Sequence, residues 1–122
     1  GLLTPNAAEL LRLVPQAPDS ASAARQLLDG GCANVLVTGG DEPGERVVNT
    51  WFTADAAPRD FEWPRLPETF HGAGCTLASA IAARLALGEP ISQAIEQGQR
   101  WTQQALARAF AVGQGRRIPG RR

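Results

Sequence analysis

The stretch from Phe70 to Gly88, FHGAGCTLASAIAARLALG, sets Gly-Ala-Gly-Cys directly ahead of a long run of Ala, Leu and Ile. Two physical readings are open. It is either a tight turn feeding a buried helix, or an anion site with a thiol at its mouth. A helix that starts near Gly74 or Cys75 leaves the amides of Ala73, Gly74 and Cys75 without intrahelical acceptors. They then point out of its N-terminus, where the helix dipole favours a phosphate or a developing oxyanion. Gly72 and Gly74 carry no Cβ, so an anion can come close to the backbone. In the first turn, a Cys75 thiolate is favoured by the same field and suits a general base toward a substrate hydroxyl. Against this, glycines also make plain turns, and most free cysteines are small core residues. Leu77, Ala78, Ala80, Ile81, Ala82 and Leu85 make the following helix apolar all round, which predicts a rigid, fully buried platform.

Downstream, GEP separates this helix from a last one over residues 91–110. There Ile91, Ala94, Ile95, Gly98, Thr102, Ala105 and Ala109 fall in one stripe at helical spacing. Residues 111–122 read as a flexible basic tail. Upstream, CANVLVTGG carries a β-branched run, Val35 to Thr38, that fits a buried strand of a parallel sheet, with Gly39 and Gly40 as the loop at its end. A buried strand ending in Gly-Gly is where α/β sheets place ligand loops. Thr38 or Asp41 is then a candidate to face a nucleotide, and a plain turn is the alternative. ERVVNTWF is a strand candidate, ADAAPRD a loop, and FEWPRLPE a short edge segment because its prolines cannot donate to a ladder.

Nearer the start, DSASAARQLLDGG reads as a helix capped by Asp19 or Ser20 and ended by Gly30-Gly31. NAAELLRL reads as another, with Leu10, Leu11 and Leu13 on its buried side. Asn6 and Glu9 stand three apart at its head. They can organise a hydrated magnesium ion and, through it, a phosphate. The same spacing also closes a capping box for purely structural reasons. The order of elements around a Val-rich strand predicts an α/β layered sheet.

The chain has 122 residues, 43% of them hydrophobic, enough for one modest domain with a packed core. No apolar run approaches the ~20 residues that cross a bilayer, and no basic lead precedes an apolar segment at the start. A cytoplasmic protein with no membrane partner is the expectation. The only two cysteines, Cys32 and Cys75, are expected to be free thiols. Formal charge is zero, but Arg116, Arg117, Arg121 and Arg122 crowd the terminus. Setting those four aside leaves eight cations against twelve acids, about −4, which argues against nucleic acid as the main partner. All twelve cations are arginine, so no mechanism here can use a lysine. His71, the single histidine, lies beside the glycines, where a phosphate contact and a solvent-facing loop position are both open. One histidine and two distant cysteines give no metal cluster.

In this order, LTPNAAEL, VLVTGG and HGAGCTLASAIAARLALG together resemble the C-terminal half of the hydroxymethylpyrimidine/phosphomethylpyrimidine kinases of thiamine biosynthesis, members of the ribokinase-like superfamily. The likeness covers nearly the whole chain to about Phe110. It implies a ribokinase-like three-layer α/β/α sandwich, of which residues 1–112 would be the C-terminal, nucleotide- and phosphate-side part, followed by the tail over 113–122. It implies that Gly72, Ala73, Gly74 and Cys75 form the anion hole, with Cys75 as catalytic base. Asn6 and Glu9 match the motif that organises Mg2+ and phosphates, and Gly39, Gly40, Thr38 and His71 lie toward ATP. The implied reaction moves the ATP γ-phosphate to the hydroxymethyl group of an aminopyrimidine, or to its existing phosphate.

Two positions depart from the family pattern. Thr38 stands where these kinases usually place lysine, and Ala73 replaces a common threonine. The pyrimidine pocket of the family comes mainly from an N-terminal half, so the chain is expected to be a piece of a longer enzyme, weakly active or inactive alone and pairing as a homodimer. A pyridoxal kinase relative is the alternative enzyme, and a non-catalytic half-domain acting in oligomerisation or regulation is the alternative outside enzymes.

Overall fold

The computed structural model describes residues 2–39, 45–65 and 73–115, with the side chains of 73–75 and 109–115 outside that description. The chain divides into two compact units, Gly1–Arg65 and Leu66–Arg122. The first is built on a four-stranded sheet in the order β1-β2-β3-β4. Its elements are β1 (Leu2–Leu3), α1 (Ala7–Leu13), α2 (Ser20–Asp29), β2 (Asn34–Val37), β3 (Arg46–Thr53) and β4 (Ala56–Pro64). The second holds α3 (Ala73–Ala86) and α4 (Ile91–Gly115).

The α/β class read from the sequence holds, but the sheet is mixed. β2 runs parallel to β1 and antiparallel to β3, and β3 pairs antiparallel with β4. The Val-rich run does behave as a strand buried on both faces: Val35 and Leu36 are fully buried and Val37 nearly so. Val35 and Val37 join Phe52 against Leu10, Val14, Ala17, Ala23, Ala24 and Leu28 to form the core of this unit. A fully buried Leu10 contributes about 1.5–3 kcal/mol of transfer free energy.

Leu10 and Val14, an i, i+4 pair, carry the inward face of α1. This corrects the expectation that Leu11 and Leu13 are buried, since they are 36% and 60% exposed. Helical geometry turns positions 11 and 13 away from the line through 10 and 14. Asp19 proves to be the α2 cap, accepting from the Ser22 amide at 2.8 Å. The helix stops where Gly31 takes φ 111°, a left-handed conformation that disfavours a Cβ.

The segment expected to be loop, 54–60, is mostly strand. Only Ala54-Asp55 turns, and β4 starts at Ala56. Ala-Asp lacks the Asn-Gly or Asp-Gly signature of tight hairpins, which hides the turn in the sequence. The edge assignment itself stands, because β4 closes the sheet and tolerates Pro58 and Pro64 there.

In the second unit, α3 ends in a tight reversal. The Leu87 amide bonds to Ala83 O, the Glu89 amide bonds to Arg84 O, and Gly88 takes φ 91°. An Arg84–Glu89 ion pair at 3.0 Å spans the same turn. Such a short link returns α4 antiparallel along α3.

The middle of the predicted stripe on α4 is buried: Ala94 and Ile95 fully, Gly98 and Thr102 nearly so, with Gln99 added at 3% exposed, whereas Ile91 and Ala105 are half-buried and the Ala109 side chain lies outside the described residues. The helix runs to Gly115, five residues past the predicted end and three past residue 112, since nothing in Ala111-Val112-Gly113-Gln114 forbids helical backbone. The tail expected over 111–122 is therefore helical as far as Gly115, and its remainder, residues 116–122, lies outside the described residues. The expectation of an α3 buried all round is overturned. Leu77 and Ile81 are buried, whereas Ser79, Ala82, Ala83 and Ala86 are exposed. Alanine makes a helix apolar by composition while giving it little side chain to bury.

Candidate functional site

The candidate residues of the first unit gather where the two parallel strands end. β1 leads through Thr4-Pro5 to Asn6, and β2 leads to Thr38 and Gly39. An isolated parallel bridge pairs Asn6 with Thr38, and the Thr38 amide bonds to Pro5 O at 2.9 Å. Carboxyl ends of parallel strands are the usual ligand edge of an α/β sheet.

Asn6 heads α1 as its N-cap. Its side-chain oxygen accepts from the Glu9 amide at 2.7 Å, while Glu9 Oε1 accepts from the Asn6 amide at 2.9 Å. The capping box weighed from the sequence is therefore formed in full. It does not consume the motif, because Glu9 is exposed and keeps its second carboxylate oxygen, and each bonded oxygen has further lone-pair capacity. Among the described residues, no group of three or more His, Cys, Asp or Glu is poised to hold a metal. Such a donor set fits only an ion that keeps most of its waters and takes its remaining oxygens from phosphates, which is how Mg2+ is usually held.

The Thr38 hydroxyl turns toward Pro5 O at 3.5 Å. Gly39 is clamped more firmly. Its amide donates to Asn49 Oδ1 at 2.9 Å in a buried bond, and a Cβ on Gly39 would stand 2.2 Å from Val48 O. The glycine is thus required by close approach to β3. Asn49 was missed by the sequence reading. Its signal was a carboxamide at the centre of the strand pattern ERVVNTWF, and it is only 7% exposed.

In the second unit, α3 begins at Ala73. Ala73, Gly74 and Cys75 are therefore its first three residues, and their amides have no acceptor within the helix. The described part of the helix opens at Ala73, next to the expected start at Gly74 or Cys75, and the residues before it lie outside the description. Gly40, Asp41, His71 and Gly72 lie outside the described residues, as does the Cys75 side chain. Of the remaining candidates, the structure brings Asn6, Glu9, Thr38 and Gly39 together in the first unit and sets Ala73, Gly74 and Cys75 in one helical turn in the second. Among the described residues, no helix is long and apolar enough to cross a membrane.

A sequence model of the family described as phosphomethylpyrimidine kinase matches residues 1–119. The chain belongs to this family. Similar proteins include the thiamine biosynthesis bifunctional protein ThiED of Geobacter sulfurreducens, 39% identical over 119 residues, which span 93% of this chain and 24% of that protein. A hydroxymethylpyrimidine/phosphomethylpyrimidine kinase of Synechococcus elongatus is 38% identical over 120 residues, 93% of this chain and 45% of that one. This member of the phosphomethylpyrimidine kinase family thus spans half or less of the length of these relatives.

Solved structures with the same α/β fold include pyridoxal kinase from Lactobacillus plantarum, with a TM-score of 0.77, 23% identity, and coverage of 92% of this chain and 42% of that one. An ADP complex of Bacillus subtilis pyridoxal kinase gives a TM-score of 0.72 at 27% identity, over 81% of this chain and 39% of that one. The expected ribokinase-like fold class is thereby shown.

Proposed function

We propose that this chain carries the phosphate-transfer side of an enzyme that moves the γ-phosphoryl group of ATP onto 4-amino-5-hydroxymethyl-2-methylpyrimidine, or onto its monophosphate, in thiamine biosynthesis. The observation that carries the reading is the start of α3 at Ala73 in a chain matched by the family over residues 1–119. In that role the amides of Ala73, Gly74 and Cys75, with Gly72 before them, hold the charge that builds on the transferring group. Such fixed donors are the main protein contribution to phosphoryl transfer. Cys75 accepts the proton of the attacking hydroxyl as its oxygen bonds to phosphorus and ADP departs. Gly39 and Gly40 lie along the nucleotide, with Thr38 and His71 beside its phosphates. Asn6 and Glu9 would hold a hydrated Mg2+, which would supply positive charge to the phosphates.

With no lysine in the chain, Thr38 gives only a neutral hydroxyl where a lysine would bring a positive charge, which places more of the phosphate charge on the backbone amides at the α3 start. The proposed setting is the cytoplasm. Homodimer formation has support in the exposed apolar side chains Leu13, Leu87 and Trp101.

The test uses the full-length enzyme, with the pyrimidine-side half present, and follows MgATP-dependent transfer to the hydroxymethylpyrimidine and, by calorimetry, MgATP binding. Cys75→Ala is expected to lower turnover by about 100-fold or more, the scale of a general base, with nucleotide binding unchanged. Normal turnover in that variant would refute the base assignment. Gly74→Leu is expected to abolish binding by crowding the amides. Pyridoxal as the preferred acceptor would favour the second reading, which the 27%-identical pyridoxal kinase supports. Nucleotide binding without transfer to either acceptor would favour a non-catalytic module.

A further inference from the structure

We infer that Asn49 is a positioning residue for Gly39, the described residue of the proposed nucleotide side, holding it against β3 through its buried carboxamide. The inference rests on the proposed kinase reading for what Gly39 does, and on geometry for how it is held. The β2–β3 ladder pairs Val37 with Thr50. Continuing that register sets Gly39 opposite Val48, which is where a Cβ on Gly39 would meet the Val48 carbonyl at 2.2 Å. At this point the Gly39 amide leaves the main-chain pattern and donates to a side chain, Asn49 Oδ1, at 2.9 Å.

A buried amide without an acceptor is costly, so Gly39 is tied to wherever that oxygen stands. Asn49 in turn is fixed in the middle of β3, paired with Phe61 of β4, and both residues are only 7% exposed. The β3–β4 hairpin thereby holds Gly39 at the carboxyl end of β2, next to Thr38, which bridges to Asn6. Sites that act by positioning need this kind of support behind the residues that touch the ligand. Asn49 itself touches Gly39 and makes its contribution through that residue.

The experiment reads three quantities in the wild-type protein and in Asn49→Ala, Asn49→Asp and Thr50→Val: amide hydrogen exchange at Gly39 by NMR, MgADP affinity by calorimetry, and Tm. Asn49→Ala is expected to speed Gly39 exchange and to weaken MgADP about tenfold, the scale of one hydrogen bond. Asn49→Asp, which keeps an acceptor in the same place, is expected to restore Gly39 protection. Thr50→Val loses a hydrogen bond to Asp60 in the same hairpin and is expected to leave MgADP affinity unchanged. If Asn49→Ala fails to fold, Asn49→Thr takes its place, because a β-branched residue suits the strand while its hydroxyl stops short of Gly39. Unchanged MgADP affinity in Asn49→Ala, or in Asn49→Thr where that replaces it, with wild-type binding intact, overturns the inference and leaves the kinase reading standing. Absence of MgADP binding by the wild-type protein overturns both.

Discussion

Gly98 of α4 lies directly against Ile81 of α3, so closely that a Cβ on Gly98 would stand 2.6 Å from Ile81 Cγ1. Ile81 N and Cα would also be only 3.2 and 3.3 Å away, so rotating the Ile81 side chain alone does not clear the space. This contact fixes how near the two helices approach, and α3 is the helix whose first turn holds Ala73, Gly74 and Cys75.

Replacing Gly98 with alanine therefore sets two effects against each other. Helix propensity gains about 1 kcal/mol, while overpacking a tight contact costs about 1–3 kcal/mol. The clash wins, and Gly98→Ala is expected to lower stability by about 1 kcal/mol. Ile81→Ala alone costs about 2–5 kcal/mol. In the double variant the two losses are expected to sum to less than their total by about 1 kcal/mol, measured by urea unfolding as a double-mutant cycle. Simple additivity would show that the two residues do not share the space.

One turn along the same stripe, the Thr102 hydroxyl is buried without a hydrogen-bond partner among the described residues. Thr102→Val keeps the shape and removes the unsatisfied oxygen, so it is expected to raise stability by about 1 kcal/mol. A fall in Tm would mean that the hydroxyl is satisfied in solution.

Asp19 gives a pH dependence of definite sign. Hydrogen bonds from the Ser22 amide, and then from the Ser22 side chain, hold its carboxyl below the ordinary value of 3.8, with burial opposing weakly. A group whose folded value is depressed stabilises the fold above its unfolded value and loses that contribution as pH falls through the folded one. Stability is therefore expected to drop as pH is taken below about 3.8. Asp19→Asn, which keeps the cap but cannot titrate, is expected to lack that part of the drop in urea unfolding between pH 5 and 2. Identical pH profiles for the two proteins would contradict the assignment.

The two roles of Asn6 separate by substitution. Asn6→Ala removes the cap and is expected to cost about 1 kcal/mol. Asn6→Ser retains an equivalent cap, so its Tm is expected to match the wild type, while its Mg2+-dependent nucleotide affinity falls if the residue also organises the metal. Unchanged affinity in Asn6→Ser would leave the motif as a helix cap alone.

Local patterns carried well from sequence to structure. Asn6 with Glu9 spelled a capping box, Gly30-Gly31 a helix stop, and Gly-Ala-Gly-Cys a helix start, because each depends on neighbouring residues and backbone geometry. The stripe on α4 was legible for the same reason, since one helical period sets its face. The inward face of α1 was not: Leu11 and Leu13 are as apolar as Leu10, and only the packed helix shows which of them α2 and β2 can reach. Nor was the hairpin at Ala54-Asp55, whose residues carry no turn signature of their own.

Alone, the sequence determined the motifs, their order, the family they mark and a helix that begins at the Gly-Ala-Gly-Cys run. Only the tertiary structure decided that Asn6 meets Thr38, that Asn49 holds Gly39 and that Gly98 must make room for Ile81. Those are contacts between residues distant along the chain, set by strand register and helix crossing, which no local propensity encodes.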